Sequence, residues 1–375
     1  MKVCLVHDYL NQLGGAERTL KAIHEIWPGA PIYTSLVDWG VVDKLDLPRN
    51  LIRYPRWLHI PLVSSFYKYF ILFYPLVFKS FDLSEYDLVI SSSANFAKGI
   101  VSLPSQIHIN YCHTPPRFLY HLPTETNRRS HWFWGKLLMP VDFLLRMWDF
   151  TAARRVDYFV ANSENVARRI KKWYRRNAIV IYPPVDIFDK ANKLMKLKAN
   201  EAYYLVVSRL SAYKNVDLAI RACAELGTSL KVAGTGPEEG RLNKLAKQLH
   251  APVEFAGFVS DAELSSIYGN CKALISTVLE EDFGIVPLEA MSFGKPVIAL
   301  RSGGVEETVT DGETGLFYSD STVESLVGAI RKFESVDYFT SVKCSRACRQ
   351  QAERFSKERF KREFREFVEK IANDR

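Results

Sequence analysis

The sequence predicts an α/β fold in which two doubly wound parallel sheets follow each other along the chain. The length of 375 residues is sufficient for two domains of ordinary size. Short β-rich runs alternate with helix-like patterns, which is typical of parallel strands joined by right-handed crossovers. The alternation stops at a proline-rich break over residues 182–186 and then starts again. We therefore expect domains at residues 1–185 and 186–355, followed by a terminal helical segment over 356–375.

The first half begins with a strand at residues 2–6, a loop that contains Gly14 and Gly15, and a helix over 16–27. Later β-rich runs predict strands at 86–91, 107–111 and 156–161. The last of these is the final strand expected in this half. A basic helix capped by Ser163 is expected to follow it.

The second half repeats the alternation from residue 203 onwards. Strands are expected at 203–207, 230–233, 253–256, 273–276 and 296–299. Helices are expected at 216–226, 238–249 and 261–270, from near Gly284 to 293, and at 356–371. Ligands of doubly wound sheets bind at the carboxyl ends of the strands. We therefore expect a cleft between the two sheets, with the functional residues in the loops that follow the strands.

The composition is that of an ordinary globular protein, with 47% hydrophobic and 25% charged residues, which excludes disordered and collagen-like chains. The first residues lack the pattern of a secretory signal. The apolar run at 69–78 has about half of the roughly 20 residues that a spanning helix needs. The six cysteines form no Cys-x-x-Cys pair, as expected for reduced thiols. We expect a soluble cytoplasmic protein without a metal site.

The positive charge is concentrated in the first half of the chain. The formal net charge is +8, and residues 1–185 contain 23 basic and 14 acidic residues. Residues 51–81 contain no acid and interleave cations with ten aromatic rings. Such a segment fits an anionic membrane surface, a nucleic acid or a buried hairpin with solvated ends. Three prolines divide it into short amphipathic pieces, which favours the membrane surface. The residues that we assign to membrane or acceptor contact are Arg53, Arg56, Trp57, Lys68 and Lys79.

Two glutamates eight residues apart, Glu281 and Glu289, form the densest candidate for chemistry. Glu281 is expected in a loop at the carboxyl end of a strand, and Glu289 in the helix that begins near Gly284. The open amides of Phe283 and Gly284 at the positive end of this helix suit an anion or sugar hydroxyls. The two carboxylates could then bind two different diols. The alternative is an ordinary loop acid and an ordinary helix acid.

Arg209 and Lys214 follow the first strand of the second half, so we expect both at its carboxyl edge. A guanidinium and an ammonium at this spacing could clamp a diphosphate, and the alternative is two separate surface cations. Glycine pairs at 14–15 and 303–304 could let a ligand approach the backbone. Neither pair matches the Gly-x-Gly-x-x-Gly fingerprint of dinucleotide-binding proteins.

His113 directly follows a predicted strand and precedes a Thr-Pro-Pro turn. An imidazole at this position could donate a hydrogen bond to charge that develops on a substrate. The alternative is a structural histidine. The sequence contains no Asp-x-Asp triplet, a common ligand for a metal-bound diphosphate. Arg209 and Lys214 would therefore have to neutralise the leaving group.

Together these motifs resemble the family 4 retaining glycosyltransferases of the GT-B fold. The resemblance covers nearly the whole chain and rests on residues 14–17, 208–210 with Lys214, 234–237, 257–259, 281–289 and 303–304. Residues 81–93 and 111–117 are also similar to the WbaZ-like bacterial O-antigen and exopolysaccharide mannosyltransferases. The resemblance implies two Rossmann-like domains that face each other across a cleft, and a final helix that crosses back to pack on the first domain.

The resemblance also implies roles for individual residues. The donor would be bound by Gly14, Gly15, Arg209, Lys214, Gly257, Phe258, Val259, Glu281, Phe283, Gly284, Ile285 and Glu289. Arg209 and Lys214 would hold the diphosphate, and Glu289 would hold the ribose. The residues with catalytic roles would be His113, Glu281, Arg209 and Lys214. Asp282 departs from the family pattern, because a small residue is usual between the positions of Glu281 and Phe283.

The expected function is retaining, metal-independent transfer of mannose from GDP-mannose to a lipid-linked glycan in lipopolysaccharide or exopolysaccharide synthesis. The leaving phosphate would take the acceptor proton in a front-side displacement. The expected partners are the nucleotide sugar, the glycan acceptor and the inner face of the cell membrane. No cofactor and no nucleic acid are expected. The competing functions are a UDP-sugar transferase, glycan phosphorylase or epimerase of the same fold, and a non-catalytic membrane-binding module.

Overall fold

The chain divides into two compact units in a computed structural model, which describes residues 1–59, 71–124, 132–185 and 203–374. The first unit contains the described residues of 1–122, 128–184 and 357–375. The second contains Pro123, Thr124 and the described residues of 185–356. Each unit is an α/β layer structure around one parallel sheet, as the alternation in the sequence predicts.

The first unit is built on a seven-stranded sheet in the order β3-β2-β1-β4-β5-β6-β7. The strands are β1 Val3–His7, β2 Ile32–Thr34, β3 Ile52–Arg53, β4 Leu88–Ser93, β5 Ile107–Cys112, β6 Tyr158–Ala161 and β7 Ala178–Val180. All the pairings between neighbouring strands are parallel. The chain moves outwards from β1 to β3 and then returns to β4 on the other side of β1. The loops after β1 and β4 therefore flank the switch point where ligands of this fold bind.

Helices cover both faces of this sheet. They are α1 Gly15–Ile26, α2 Trp39–Lys44, α3 Tyr74–Lys79, α4 Trp132–Arg155 and α5 Glu164–Tyr174. On one face, α1 buries Leu20 and Ile23 against Leu5 and Ile90 of the sheet. On the other face, α3 and α4 share a core that includes Val77. Short 3-10 turns occur at Arg49–Leu51, Arg56–His59 and Ala97–Gly99.

The second unit contains a six-stranded parallel sheet in the order β10-β9-β8-β11-β12-β13. Its strands are β8 Tyr203–Val207, β9 Leu230–Ala233, β10 Val253–Gly257, β11 Cys271–Ser276, β12 Val297–Leu300 and β13 Gly315–Tyr318. Its helices are α6 Val216–Leu226, α7 Glu239–Gln248, α8 Asp261–Asn270, α9 Ile285–Ser292, α10 Val305–Thr308, α11 Val323–Ser335 and α12 Val342–Glu353, with 3-10 turns at Ala212–Lys214 and Asp337–Thr340. The switch point of this sheet lies between β8 and β11.

The C-terminal helix α13, Lys357–Asn373, returns to the first unit, as predicted. Its apolar stripe buries Phe360, Phe364 and Val368 in the same core as α1. The Phe364 ring lies edge-on to Trp27 at 6.1 Å between centroids. The spacing of these residues by four places them on one helix face, which explains how so charged a helix contributes to a core.

The structure corrects several element assignments made from the sequence. The strand at 156–161 is not the last of the first half, because β7 follows it at the sheet edge. Strands β2, β3 and β13 were not predicted, since runs of two to four residues carry little periodic signal. Helix α4 was also missed. It contains Pro140, and its aromatic residues are distributed around the helix without a clear period.

The segment at 51–81 is partly core and partly surface in the residues that can be described. Tyr74 and Phe78 are buried, whereas Trp57 and Phe73 are half exposed. Arg53, Arg56 and Lys79 are exposed, and Lys68 lies outside the described residues. Within the described parts of the chain, no helix is both long enough and apolar enough to cross a bilayer.

Candidate functional site

The loops that follow β8, β11 and β12 are joined by hydrogen bonds at the switch point of the second sheet. The Thr277 hydroxyl donates to the Lys214 carbonyl at 2.6 Å, which ties the loop after β11 to the loop after β8. The Gly304 amide donates to the Glu281 carbonyl at 2.7 Å, which ties the loop after β12 to the loop after β11. Residues far apart in the sequence are thus held at one sheet edge by hydrogen bonds to backbone carbonyls.

Two glycines, in the loops after β9 and β12, allow neighbouring loops at this sheet edge to approach each other closely. Gly234 has a φ of +127°, and a Cβ atom there would lie 2.0 Å from the Ser208 carbonyl oxygen. A Cβ atom on Gly304 would lie 2.4 Å from the Asp282 carbonyl oxygen. Any side chain at either position would force the loops apart. The glycine motifs noted in the sequence therefore act here by fixing the loops that carry Arg209 and Glu281.

Lys214 and Glu281 form an ion pair in the described residues. The Nζ to Oε2 distance is 3.3 Å, and both side chains are more than four-fifths buried. Burial lowers the pKa of the Lys214 ammonium, but Glu281, Tyr213 and Asp282 raise it more, so the pKa lies above its ordinary value. The ammonium is therefore charged at neutral pH and also lies 4.8 Å from the centre of the Tyr213 ring. The predicted convergence of these two residues is present.

Glu289 is buried and is connected to α8 by a hydrogen bond. It lies in α9, and its Oε2 accepts a hydrogen bond from the Tyr268 hydroxyl at 2.9 Å. The Tyr268 ring also stacks on Phe293, which directly follows the last residue of α9. The sequence did not indicate this arrangement, because Tyr268 belongs to a different helix. A ligand hydroxyl would share this carboxylate with the tyrosine.

The remaining predicted donor residues of this unit lie around the same edge. Arg209 is exposed in the loop after β8, and Phe258 is exposed directly after β10. Phe283 is buried against Phe355, with ring centroids 5.6 Å apart. The other members are Gly257 and Val259 after β10, and Gly284 and Ile285 at the start of α9.

The first unit contains a buried polar cluster at its own switch point. The His113 Nε2 atom lies 2.8 Å from the Ser92 hydroxyl. The same hydroxyl lies 3.1 Å from Nδ1 of His7, whose Nε2 is 3.8 Å from Oε1 of Glu17. Burial and the neighbouring His7 lower the pKa of His113 to about 3, so its imidazole is neutral at physiological pH.

Glu17 connects this cluster to the predicted glycine loop. It lies in the first turn of α1, for which Gly14 is the N-cap residue, and Gly15 is the first residue of that helix. A Cβ atom on Gly14 would lie 2.9 Å from Glu17 Oε2. The amides at the start of α1 have no side-chain cap from Gly14, so this helix end has the electrostatic character that suits an anion.

The two halves of the chain match two family models. Residues 13–187 match the model described as Glycosyltransferase Family 4. Residues 188–355 match the model described as Glycosyl transferases group 1. Both models describe glycosyltransferases, and together they cover residues 13–355 of the chain. The first match ends and the second begins within three residues of the boundary between Pro184 and Val185, where the two units divide.

Curated relatives of this glycosyltransferase include mannosyltransferases. The alpha-1,3/1,6-mannosyltransferase ALG2 of Candida glabrata is 26% identical over 62% of this chain and 58% of its own length. ALG2 of Mus musculus is 25% identical over 76% of this chain and 74% of its own length. The alignment with the first of these relatives thus spans less than two thirds of that protein.

Solved structures support the fold of this glycosyltransferase. Anabaena HepE in complex with UDP-glucose superposes with a TM-score of 0.70 at 20% identity, and the match covers 99% of this chain and 100% of that one. A likeness at this identity concerns the fold. Together with the two sheets described above, it confirms the predicted GT-B architecture.

Several contact partners of the predicted site residues were not predicted from the sequence. Ser92, His7 and Glu17 surround His113, and Tyr268 holds Glu289. A signal was present for Ser92 and His7, because polar residues at the ends of otherwise apolar strands are unusual. Within the described ranges, no three His, Cys, Asp or Glu side chains are grouped to hold a metal ion.

The buried histidines predict a specific pH dependence of stability. Burial, with a smaller contribution from Arg155, lowers the pKa of His108 to about 3 from an ordinary value of 6.5. Below pH 6.5 the unfolded chain therefore binds a proton that the folded chain does not bind. Above pH 6.5 keeping such a histidine neutral does not reduce the free energy of unfolding. As the pH decreases from 6.5 towards 3, each such histidine lowers the free energy of unfolding by about 1.4 kcal/mol per pH unit.

Urea unfolding of wild type and His108→Gln at pH 7.5 and pH 5.5 measures this effect. The variant is expected to lose less unfolding free energy between the two pH values than wild type, by up to about 1.4 kcal/mol. Equal losses in both proteins would contradict the assignment of a neutral His108. Because carboxylates titrate equally in both proteins, their contribution cancels in the comparison.

Proposed function

We propose that this glycosyltransferase moves mannose from GDP-mannose to a lipid-linked glycan, with retention of the anomeric configuration. The mannosyltransferase names of its relatives support the choice of sugar. The resemblance to bacterial O-antigen and exopolysaccharide enzymes supports a lipid-linked acceptor and a role in lipopolysaccharide biosynthesis. GDP is the nucleotide that we assign on the same grounds.

The observation that carries this proposal is the ion pair between Lys214 and Glu281 at the switch point of the second sheet. A charged ammonium there can bind the diphosphate, while the neighbouring carboxylate can accept hydrogen bonds from sugar hydroxyls. Arg209 lies in the same loop as Lys214 and adds a second cation. A diphosphate-linked sugar has both kinds of group, whereas a free sugar or an inorganic anion has one.

The chemistry that we assign to these residues is stabilisation of a leaving group. In a front-side displacement the bond from the anomeric carbon to the diphosphate breaks while the acceptor oxygen attacks from the same side. The acceptor proton passes to the leaving phosphate oxygen, and Arg209 and Lys214 stabilise the charge that remains. His113 donates a hydrogen bond to the transferred sugar. Glu289 accepts hydrogen bonds from the ribose.

Thermal melting with nucleotides tests the donor assignment. GDP and GDP-mannose are expected to raise the melting temperature more than UDP and UDP-glucose, because at equal concentration the ligand that binds more tightly stabilises the folded state more. Incubation with labelled GDP-mannose and bacterial lipid extracts should then give a labelled lipid whose new linkage is α. Stabilisation by UDP compounds alone would make the protein a UDP-sugar transferase.

The reaction products distinguish a transferase from a phosphorylase, an epimerase and a non-catalytic module. A glycan phosphorylase of this architecture would carry pyridoxal phosphate, which an absorbance scan detects. A non-catalytic module would bind the nucleotide without consuming the donor. An epimerase would change the sugar without any acceptor. Product analysis by mass spectrometry distinguishes transfer from all three.

We also propose that the first unit binds an anionic membrane surface. Helix α4 exposes a stripe of apolar residues, with Met139, Phe143 and Met147 at intervals of four and each more than half exposed. Its opposite face buries Leu145 in the core that it shares with α3. Exposed apolar side chains on one helix face together with the basic excess of residues 1–185 suit anionic lipid better than a neutral protein partner.

Vesicle flotation tests this membrane proposal. The full chain is expected to float with phosphatidylglycerol vesicles and much less with phosphatidylcholine vesicles. The double variant Phe143→Ser/Met147→Ser should reduce flotation at least fivefold, as should neutralisation of Arg53, Arg56, Lys68 and Lys79. Val342→Ser is the matched control, because Val342 is an exposed apolar residue of the second unit. Undiminished flotation of both altered proteins would refute the proposal.

A further inference from the structure

Four polar side chains are buried together where β1, β4 and β5 of the first unit end. They are His7, Glu17, Ser92 and His113, and each is at least nine-tenths buried. His7 and Ser92 are direct partners in the parallel register of β1 and β4. His113 directly follows β5, and Glu17 belongs to the first turn of α1. The contacts among them determine where the protons lie.

The position of the proton on His7 follows from a backbone carbonyl. The His7 Nδ1 atom lies 3.1 Å from the Ser92 carbonyl oxygen and 3.1 Å from the Ser92 hydroxyl oxygen. A carbonyl oxygen can only accept a hydrogen bond. Nδ1 of His7 must therefore carry a proton, which it donates to Ser92.

Ser92 then has its own proton available for His113. A hydroxyl has one hydrogen to donate, and its oxygen can accept at the same time. The Ser92 oxygen accepts from His7, and among the contacts of this hydroxyl Nε2 of His113, 2.8 Å away, is the atom that can accept its hydrogen. Nε2 of His113 is the acceptor in the arrangement that gives every hydrogen a partner. Because the imidazole is neutral, its single proton lies on Nδ1.

Glu17 completes the arrangement from the other side of His7. Its Oε1 lies 3.8 Å from Nε2 of His7 and 3.5 Å from the Gln12 amide nitrogen. Its Oε2 is buried without a hydrogen-bond partner among the described residues. With Nε2 beside Glu17, His7 has Nδ1 facing Ser92.

We propose that Ser92, His7 and Glu17 are positioning residues that hold His113 as an Nδ1–H hydrogen-bond donor to the substrate. This inference rests on the proposed function, because it takes His113 to contact the transferred sugar. Nε2 is occupied by Ser92, so Nδ1 is the nitrogen that remains for a ligand. A protonated Nδ1 attracts an oxygen that gains negative charge, whereas a bare Nδ1 would repel it.

Nitrogen NMR of the ¹⁵N-histidine-labelled full chain tests the protonation state directly. His113 is identified as the signal that disappears in His113→Gln. In wild type the signal is expected to come from a neutral ring protonated at Nδ1. In Ser92→Ala the Nε2-protonated form should become populated, because the hydroxyl that enforces the other form is gone. A wild-type ring protonated at Nε2, or at both nitrogens at pH 7.5, would overturn the inference.

Kinetics with matched variants provide a second readout. Ser92→Ala is expected to lower kcat at least tenfold and to change the donor KM less than threefold, and Ser92→Thr should restore most of the activity. The matched control is Ser91→Ala, because Ser91 makes a similar buried contact of 2.7 Å to His108 on the other face of β4. An equal loss in Ser91→Ala, or no rescue by threonine, would indicate a merely structural effect and contradict the inference.

His7→Asn separates the contributions of His7 and Glu17. The asparagine amide can donate to Ser92 in place of Nδ1, but it has no counterpart of the nitrogen that faces Glu17. It should preserve the Nδ1–H form of His113, whereas His7→Ala should not. If these substitutions change the His113 tautomer but not kcat, the catalytic role of His113 is refuted while its positioning by Ser92 and His7 stands. Failure of the proposed function is thereby distinguished from failure of this inference.

Discussion

Replacing Lys214 with alanine is expected to lower mannosyl transfer by roughly 10²–10³-fold, the range typical for loss of one preorganised charge at a developing anion. The ammonium is charged, mostly buried and 3.3 Å from Glu281. In the proposed mechanism, its removal deprives the leaving diphosphate of a cation, and it also removes the ammonium next to the Glu281 carboxylate. Steady-state kinetics with GDP-mannose and GDP titration calorimetry measure both consequences. We expect GDP affinity to fall together with turnover.

The second unit contains a closely matched control for this substitution. Lys231 forms a 3.0 Å ion pair with Glu254 and lies 4.7 Å from the Tyr203 ring, much as Lys214 does with Glu281 and Tyr213. The exposure of the two lysines is also similar. Lys231→Ala removes a lysine of similar burial whose partner Glu254 is mostly exposed, and turnover should stay within about twofold. A similar loss of turnover in both variants would remove Lys214 from the diphosphate site.

Replacing Glu281 with glutamine is expected to lower turnover by at least roughly tenfold without weakening GDP binding. The amide oxygen can still accept from Lys214, but the negative charge next to the ammonium is lost. Lys214 then acts on the diphosphate without a competing carboxylate, so GDP affinity should stay equal or increase. Turnover should fall because the sugar loses a charged acceptor for its hydroxyls. Turnover is therefore expected to fall while GDP affinity does not fall, a combination that a general loss of structure would not produce.

Calorimetry with GDP and kinetics with GDP-mannose on the same preparation test this separation. Glu254→Gln is the matched control, because it removes the corresponding charge from the Lys231 pair. It should change neither quantity appreciably. If Glu281→Gln lost GDP binding, Glu281 would be a structural support of the loop after β11 rather than part of the sugar site.

The sequence alone identified most elements of the two sheets, because the relevant signals are local. Alternation of β-rich runs with 3.6-residue periodicity marks long strands and helices such as β5 and α6 wherever they lie in the fold. The missed strands and α4 had weak local signals, whereas the amphipathic helices α11 and α12 were not predicted although their period is present. β2 and β3 are too short to show a period, and Pro140 with scattered aromatics obscured α4.

The sequence also identified one side of each important contact. It singled out Lys214 and Glu281 by residue type and by position after a strand, and the structure pairs them. It singled out His113 and Glu289 without their partners Ser92 and Tyr268. Those partners belong to other elements and carry no motif of their own, so no local pattern connects them to the site.

The chain by itself thus determined its alternating architecture, the glycines that permit close loops and the chemical types of its candidate site residues. These properties depend on near neighbours in the sequence. Only the tertiary structure decided which carboxylate pairs with Lys214, how Glu289 is held and which nitrogen of His113 is engaged. Those features depend on strand order, register and burial, since they join residues that the chain separates by 21 positions in the case of Glu289 and Tyr268 and 67 in the case of Lys214 and Glu281.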